Sequence, residues 1–282
     1  MMQFTIGIPV HNEEKNLNML LNYLAASKFN FKAKEIIVVC SGCTDNSLGI
    51  AKKCQKRNRL IKIFHERERK GKFSAINKIL SAATSNYVIL INSDTLPEIN
   101  SLNVLVEPFA DEKVAAVTGR PICIQKNNTL AGYFHNFMWN YHHEMSRAFP
   151  NVTGEICALR KNTIKKLPNK IINDDEYIAS SLFKNSVIKY VPKATSKVIE
   201  NLDINNYLKK RRRFAAGHIQ ISKMRPKISI PIAWKLKFIL NKIQAEPEKI
   251  FHIVLIVLIE IYSNILAFYD IQRGKIDYKW DT

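Results

Sequence analysis

An α/β fold with a mostly parallel central sheet flanked by helices is predicted by three observations. Four short apolar runs rich in β-branched residues recur within the first hundred residues. Each run stops at small or polar residues, and helical periodicity lies between successive runs. Continuous apolar runs of this length are strands buried on both faces, and their alternation with helices predicts a doubly wound sheet.

Taken in order, Phe4–Val10 runs into His11-Asn12-Glu13-Glu14 and a helical pattern. Glu35–Cys40 runs into Ser41–Ser47 and a second helix. Leu60–Phe64 leads to Glu68–Asn77, and Tyr87–Ile91 ends at Asn92-Ser93-Asp94-Thr95. In open α/β sheets ligands sit at the carboxyl ends of the strands. A carboxylate delivered there, at Asp94, among Asn, Ser and Thr oxygens is a hard-oxygen site suited to Mg2+ or Mn2+ carrying a phosphate.

These segments resemble the nucleotide-sugar-binding half of family 2 glycosyltransferases, which have the GT-A fold. The family's P-x-x-N-E corresponds to Pro9–Glu13, its D-D-G-S-T-D to Cys40–Asp45, its G-K-x-x-A-L-N to Gly71–Asn77 and its D-x-D to Asn92–Asp94. Thr153-Gly154, the acidic pair Asp174-Asp175, and Lys210–Phe214 in place of Q-x-x-R-W complete the series. The seven motifs stand in order over roughly residues 3–217, about three quarters of the chain.

The resemblance implies that Pro9, Asn12, Glu13, Ser41, Asp45, Lys72 and Ser93 bind the donor, and that Thr153, Gly154 and Phe214 meet the acceptor. It makes Asp94 the metal ligand and Asp175 the general base, with Asp174 beside it and Arg213 a cation for the departing diphosphate. Departures carry information too. Asn92 replaces the first D-x-D carboxylate, so metal binding rests on Asp94 and the donor's diphosphate. Cys40 and Ser41 replace two Asp where the family typically grips the nucleobase with a carboxylate. The Gln and Trp typical of processive synthases are lost from Lys210–Phe214, which implies single additions.

The chemistry needs these residue types. Charge grows on the β-phosphate oxygens as a nucleotide diphosphate leaves, and a metal at Asp94 with Lys72 and Arg213 would stabilise it. An acceptor hydroxyl needs a general base. Mutual repulsion in Asp174-Asp175-Glu176 raises at least one carboxyl pKa. The same three acids also suit a helix N-terminus, with Asn173 as its cap. Three His lie within the aromatic stretch Leu130–Ala148, which reads as an apolar helix lining an acceptor groove or packing toward a membrane rather than as a metal centre.

Composition bounds the rest. A chain of 282 residues that is 46% hydrophobic buries one sizeable core and carries an appendage. The five cysteines have no framework or zinc-finger spacing, although Cys40 and Cys43 form a C-x-x-C. Reduced thiols and the absence of a signal-peptide pattern point to the cytosol, where the N-x-[ST] sequences at Asn127 and Asn151 have no role. Between Asn205 and Lys242 stand eleven Lys or Arg and no acid, within a net charge of +19. Nucleic acid or an anionic membrane surface would explain that run. Interleaved Trp234, Leu236, Phe238 and Ile239 favour an interfacial amphipathic helix.

Residues 251–269 favour the membrane as well. Their twelve Ile, Leu, Val or Phe contribute roughly 4–7 kcal/mol toward insertion and the central Glu260 costs about 3. Glu260, Ser263, Asn264 and Ala267 form a stripe turned away from lipid, toward a second subunit, the catalytic domain or headgroups.

The expected organisation is a nucleotide-sugar-binding half over 1–100, an acceptor-binding and catalytic half over 101–222, and a basic and hydrophobic membrane-associated segment over 223–282. The expected function is metal-dependent, inverting transfer from a nucleotide-diphosphate sugar to a lipid-linked or membrane-proximal hydroxyl or phosphate. The site would lie at the cytoplasmic face of the cell membrane, with residues 251–269 available for homo-oligomer contacts and no nucleic-acid partner. A nucleotidyltransferase acting on sugar phosphates is the first alternative, but Pro9–Glu14 offers no Gly-rich cationic loop. A non-catalytic membrane-bound scaffold of the same fold is the second, and the retained Asp94 and Asp175 argue against it.

Overall fold

The computed structural model describes residues 2–124, 129–182, 186–199, 203–225, 230–275 and 279; Asn127 and Lys227 lie outside them. Four parallel strands carry the first half of the chain: β1 (Gln3–Val10), β2 (Lys32–Ser41), β3 (Ile61–Glu66) and β4 (Tyr87–Ile91). Helices α1 (Glu14–Ala26), α2 (Ser47–Arg57) and α3 (Lys72–Ala82) connect them. The second half adds β5 (Thr95–Pro97), α4 (Ser101–Val106), β6 (Val114–Cys123), α5 (Leu130–Ala148), β7 (Ile156–Arg160), α6 (Asp174–Leu182) and β8 (Val187–Val198). Three further helices follow, α7 (Ile204–Met224), α8 (Ile232–Ala245) and α9 (Ile250–Gln272).

The eight strands form one sheet in the order β3-β2-β1-β4-β7-β6-β8-β5. The four expected strands are parallel neighbours, but the sheet does not stay parallel. Strand β7 inserts antiparallel between β4 and β6, and β5 pairs antiparallel with β8. The reversal follows from the long excursion after β4, which brings the chain back along the free edge of β4 at Ile156–Arg160.

Alternate residues of the strands feed two cores. Ile6, Ile8, Ile36 and Val38 pack under Leu17, Leu20 and Leu21 of α1. Ile37, Val39, Val88 and Leu90 pack under Ile76 and Ile79 of α3 and Ile178 of α6. These strands therefore read as unbroken apolar runs because both faces are covered. Gly7 allows the closest approach: a Cβ there would stand 2.4 Å from Ile79 Cγ2, so α3 seats directly on β1. That contact fixes Lys72, the first residue of α3, beyond the strand ends.

Candidate active site

The loops after β1 and β2 are laced together. Asn12 takes a left-handed conformation (φ 50°) and its Oδ1 accepts from Thr44 N at 2.8 Å. Ser47 Oγ accepts from Glu13 N at 2.7 Å, and His11 Nδ1 lies 2.8 Å from Ser41 O. Asp45 accepts from Glu14 N and from its own loop at Ser47 N, both at 2.9 Å. Burial pushes the Asp45 carboxyl up, but these hydrogen bonds outweigh it and hold the pKa below the usual value. Asp45 thus holds the two loops together. Ser41 Oγ donates to Glu66 Oε2 at 2.6 Å, and Ser74 Oγ donates to Glu66 Oε1 at the same distance. Ser93 is buried with its hydroxyl on Pro9 O at 3.2 Å.

A small cavity opens between the ends of β1 and β4, the start of α3 and the start of α6, lined by Pro9, Lys72, Asn92, Thr153, Gly154, Asp174 and Asp175 among others. Lys72 Nζ lies 3.3 Å from Asp174 Oδ2, with Asp174 buried. Asp175 is partly exposed and accepts from Glu176 N at 2.7 Å. Burial and the neighbouring Asp174 push its carboxyl up to about 7, Lys72 pulls against them, and Glu155 adds to the rise. Burial pulls the Lys72 ammonium down, but Asp174, Asp175 and Glu155 together raise it. Any side chain at Gly154 would crowd this group, since a Cβ would meet Lys72 Nζ at 3.0 Å and Asp175 Oδ2 at 3.5 Å.

Thr153 lines the same cavity. It is buried, donates from N to Thr118 Oγ1 at 3.1 Å, and its hydroxyl donates to Glu155 Oε2. Glu155, which sequence reasoning passed over, is therefore held beside Lys72 and Asp175. His142 of α5 faces the same charges: burial pushes its imidazole below the usual value, against the pull of Glu155. Glu66 was also passed over, although its place at the end of β3 is the signal that singled out Asp94.

The start of α6 is braced from behind by α7. Asn173 does not cap α6 with its side chain as expected; its Nδ2 donates to Phe214 O at 3.1 Å and to Glu176 Oε2 at 3.3 Å. Gln220 accepts from Ile172 N at 3.0 Å. Gly217 permits this contact, because a Cβ there would stand 2.3 Å from the Asn173 side chain. The three consecutive arginines of α7 divide. Arg211 forms a bidentate pair with Glu260 at 2.5 and 2.7 Å, and Arg212 one with Asp270 at 2.6 Å twice. Arg213 lies 5.6 Å from the Phe214 ring centroid.

The model for Glycosyl transferase family 2 matches residues 5–160, more than half of the chain. The chain belongs to glycosyl transferase family 2. Its fold is that of solved glycosyltransferases of the GT-A type. A mannosyltransferase from Pyrobaculum calidifontis, in complex with GDP-Man and Mn2+, superposes with a TM-score of 0.62 at 20% identity, covering 96% of this chain and 74% of that one. Glucosyl-3-phosphoglycerate synthase from Mycobacterium tuberculosis, with Mn2+, UDP and phosphoglyceric acid, superposes at 0.56 and 17% identity, covering 78% of each chain. Among curated relatives, poly-beta-1,6-N-acetyl-D-glucosamine synthase of Staphylococcus aureus is 24% identical over 239 residues. That alignment covers 76% of this chain but 54% of the relative, so the chain spans about half the length of the curated relatives it matches.

Among the described residues no three His, Cys, Asp or Glu side chains cluster to hold a metal. The donor set fits a metal that brings its own ligands. Asp94 is partly exposed in the turn between β4 and β5, with Thr95 Oγ1 3.3 Å from its Oδ1. Asn92 lines the cavity, whereas Asp94 is not among its lining residues. One carboxylate, completed by diphosphate and water, matches the coordination habit of Mg2+.

Proposed function

We propose that this glycosyltransferase carries out metal-dependent, inverting transfer of one sugar from a nucleotide-diphosphate sugar to an acceptor at the cytoplasmic face of a membrane. Asp175 carries the proposal. A carboxylate held near neutrality, partly exposed in a cavity and beside a buried cation, is matched to taking a proton from a hydroxyl at physiological pH.

In the single displacement the acceptor oxygen bonds to the anomeric carbon as its bond to the β-phosphate breaks. The acceptor proton passes to Asp175 and the configuration inverts. A lipid-linked or membrane-proximal hydroxyl requires this base; a phosphate acceptor arrives already ionised. Burial and the neighbouring Asp174, which pairs with Lys72, raise Asp175, and Lys72 itself pulls against that rise. Arg213 would meet the departing diphosphate, and Asp94 would hold Mg2+ or Mn2+, which would supply Lewis-acid stabilisation of the leaving charge when bound. Pro9, Asn12, Glu13, Ser41 and Ser93 shape the donor side, within residues 1–100. Gly154 and Phe214 border the acceptor side in 101–222, and residues 223–282 attach the enzyme to the membrane. Absence of the Q-x-x-R-W pattern supports single additions.

A panel of UDP-, GDP- and dTDP-sugars, scored for Mn2+-dependent thermal shift and donor turnover, tests the reading. Metal-dependent turnover of one donor class, with nucleotide diphosphate as product, is the expected result. Transfer of a nucleotidyl group instead would replace it.

A further inference from the structure

We propose that α8 and α9 lie flat in the headgroup region of an anionic membrane, so that α9, despite its length and apolarity, does not span it. This rests on the membrane reading above and specifies its geometry. Helix α9 is long and apolar enough to cross a bilayer by composition. Yet one arc of it is attached to the catalytic domain from end to end. Ile253 and Ile256 pack with Phe134 and Phe137 of α5 and Tyr207 of α7. Glu260 is held by Arg211, Ala267 packs on Ala215 and Ala216, and Asp270 is held by Arg212. These anchors extend over about 25 Å of helix at 1.5 Å per residue.

The opposite arc is apolar and open. Phe251, Val254, Leu258, Ile261, Ile265 and Phe268 are 48–71% exposed, and at 100° per residue they fall within about 120° of one another. Helix α8 repeats the pattern. Its Phe238 is buried against α5, while Ile232, Leu236 and Leu240, at i, i+4 and i+8, are 55–74% exposed. Both helices are laid on α5 and turn their opposite arcs outward.

The charge around this face selects the occupant. Lys235 and Lys237 flank the α8 stripe, Lys209 and Lys223 are exposed on α7, and Arg273 is exposed at the end of α9. An apolar stripe bordered by Lys and Arg suits acyl chains under anionic headgroups. A spanning α9 would have to break both bidentate pairs or draw α7, with the consecutive cations Lys209–Arg213, into hydrocarbon.

The full chain, extended after Thr282 by a protease-cleavable epitope, is added to preformed phosphatidylcholine vesicles with and without phosphatidylglycerol. The expected result is flotation that depends on phosphatidylglycerol, with the epitope fully cleaved by external protease. Flotation with a protected epitope would overturn the in-plane geometry and leave the membrane reading standing. No flotation on either vesicle would overturn both. Leu258→Glu/Ile265→Glu, on the outward arc, is expected to lower the bound fraction about tenfold with thermal unfolding unchanged. If that variant instead turns an oligomer into a monomer and floats as before, the face is an interface between copies and the proposal fails.

Discussion

Lys72 Nζ stands 3.3 Å from Asp174 Oδ2, and the two groups act in opposite directions on the residue after Asp174. Burial and then the neighbouring Asp174 push the Asp175 carboxyl up to about 7. The active form of a general base is the carboxylate, so turnover should rise about tenfold per pH unit up to about pH 7 and level off above it. Lys72 pulls the Asp175 pKa down. Lys72→Met should therefore move the acid limb to higher pH, which a pH–kcat profile reads directly. A limb left in place would remove Lys72 from the tuning of the base.

Gly217 and Asn173 make a second coupling. Gly217→Ala places a Cβ 2.3 Å from the Asn173 side chain, so the start of α6 must shift. Misplacing a base by about 1 Å costs on the order of a hundredfold in rate. The expected result is a fall in kcat of that order with nucleotide diphosphate affinity unchanged, measured by calorimetry alongside steady-state kinetics.

The Arg211–Glu260 pair ties α9 to α7 with both partners mostly buried. Arg211→Met leaves Glu260 without its bidentate partner and should destabilise the enzyme by about 3 kcal/mol. Adding Glu260→Met should recover most of that loss, because two apolar side chains replace two desolvated charges. Denaturant melts of the two single variants and the double variant check the sign.

Asp94 has no second D-x-D carboxylate to compensate for it, since Asn92 occupies the other position. Asp94→Ala should abolish the Mn2+-dependent part of nucleotide diphosphate binding in calorimetry and leave the metal-independent part.

Much of this arrangement was legible in the chain. The four parallel strands announced themselves because each is buried on both faces, and the ordered motifs located the loops at their ends. The antiparallel insertion of β7 was not legible, because pairing across a long excursion depends on which sheet edge remains free. The loop hydrogen bonds of Asp45 and the Thr153–Glu155 bond were not legible, since sequence position says nothing of which partner an oxygen finds. Glu155 and Glu66 were missed because neither falls in a motif, although the strand-end rule that found Asp94 applies equally to Glu66. The Glu260–Ala267 stripe was seen to face away from lipid. Its partner, α7 of the same chain, became visible only when the arginines of α7 were seen to divide between Glu260, Asp270 and Phe214.

The central claim is that Asp175 is the base, and adjacent substitutions test it most directly. With the donor class fixed by the panel, Asp175→Asn and Asp174→Asn are compared for turnover, for nucleotide diphosphate affinity and for the anomeric configuration of any product by NMR. Asp175→Asn is expected to keep donor affinity and lose roughly two to four orders of magnitude in turnover. Asp174→Asn should retain measurable transfer, with inversion and an altered pH profile. An inactive Asp174→Asn beside an active Asp175→Asn would contradict the account.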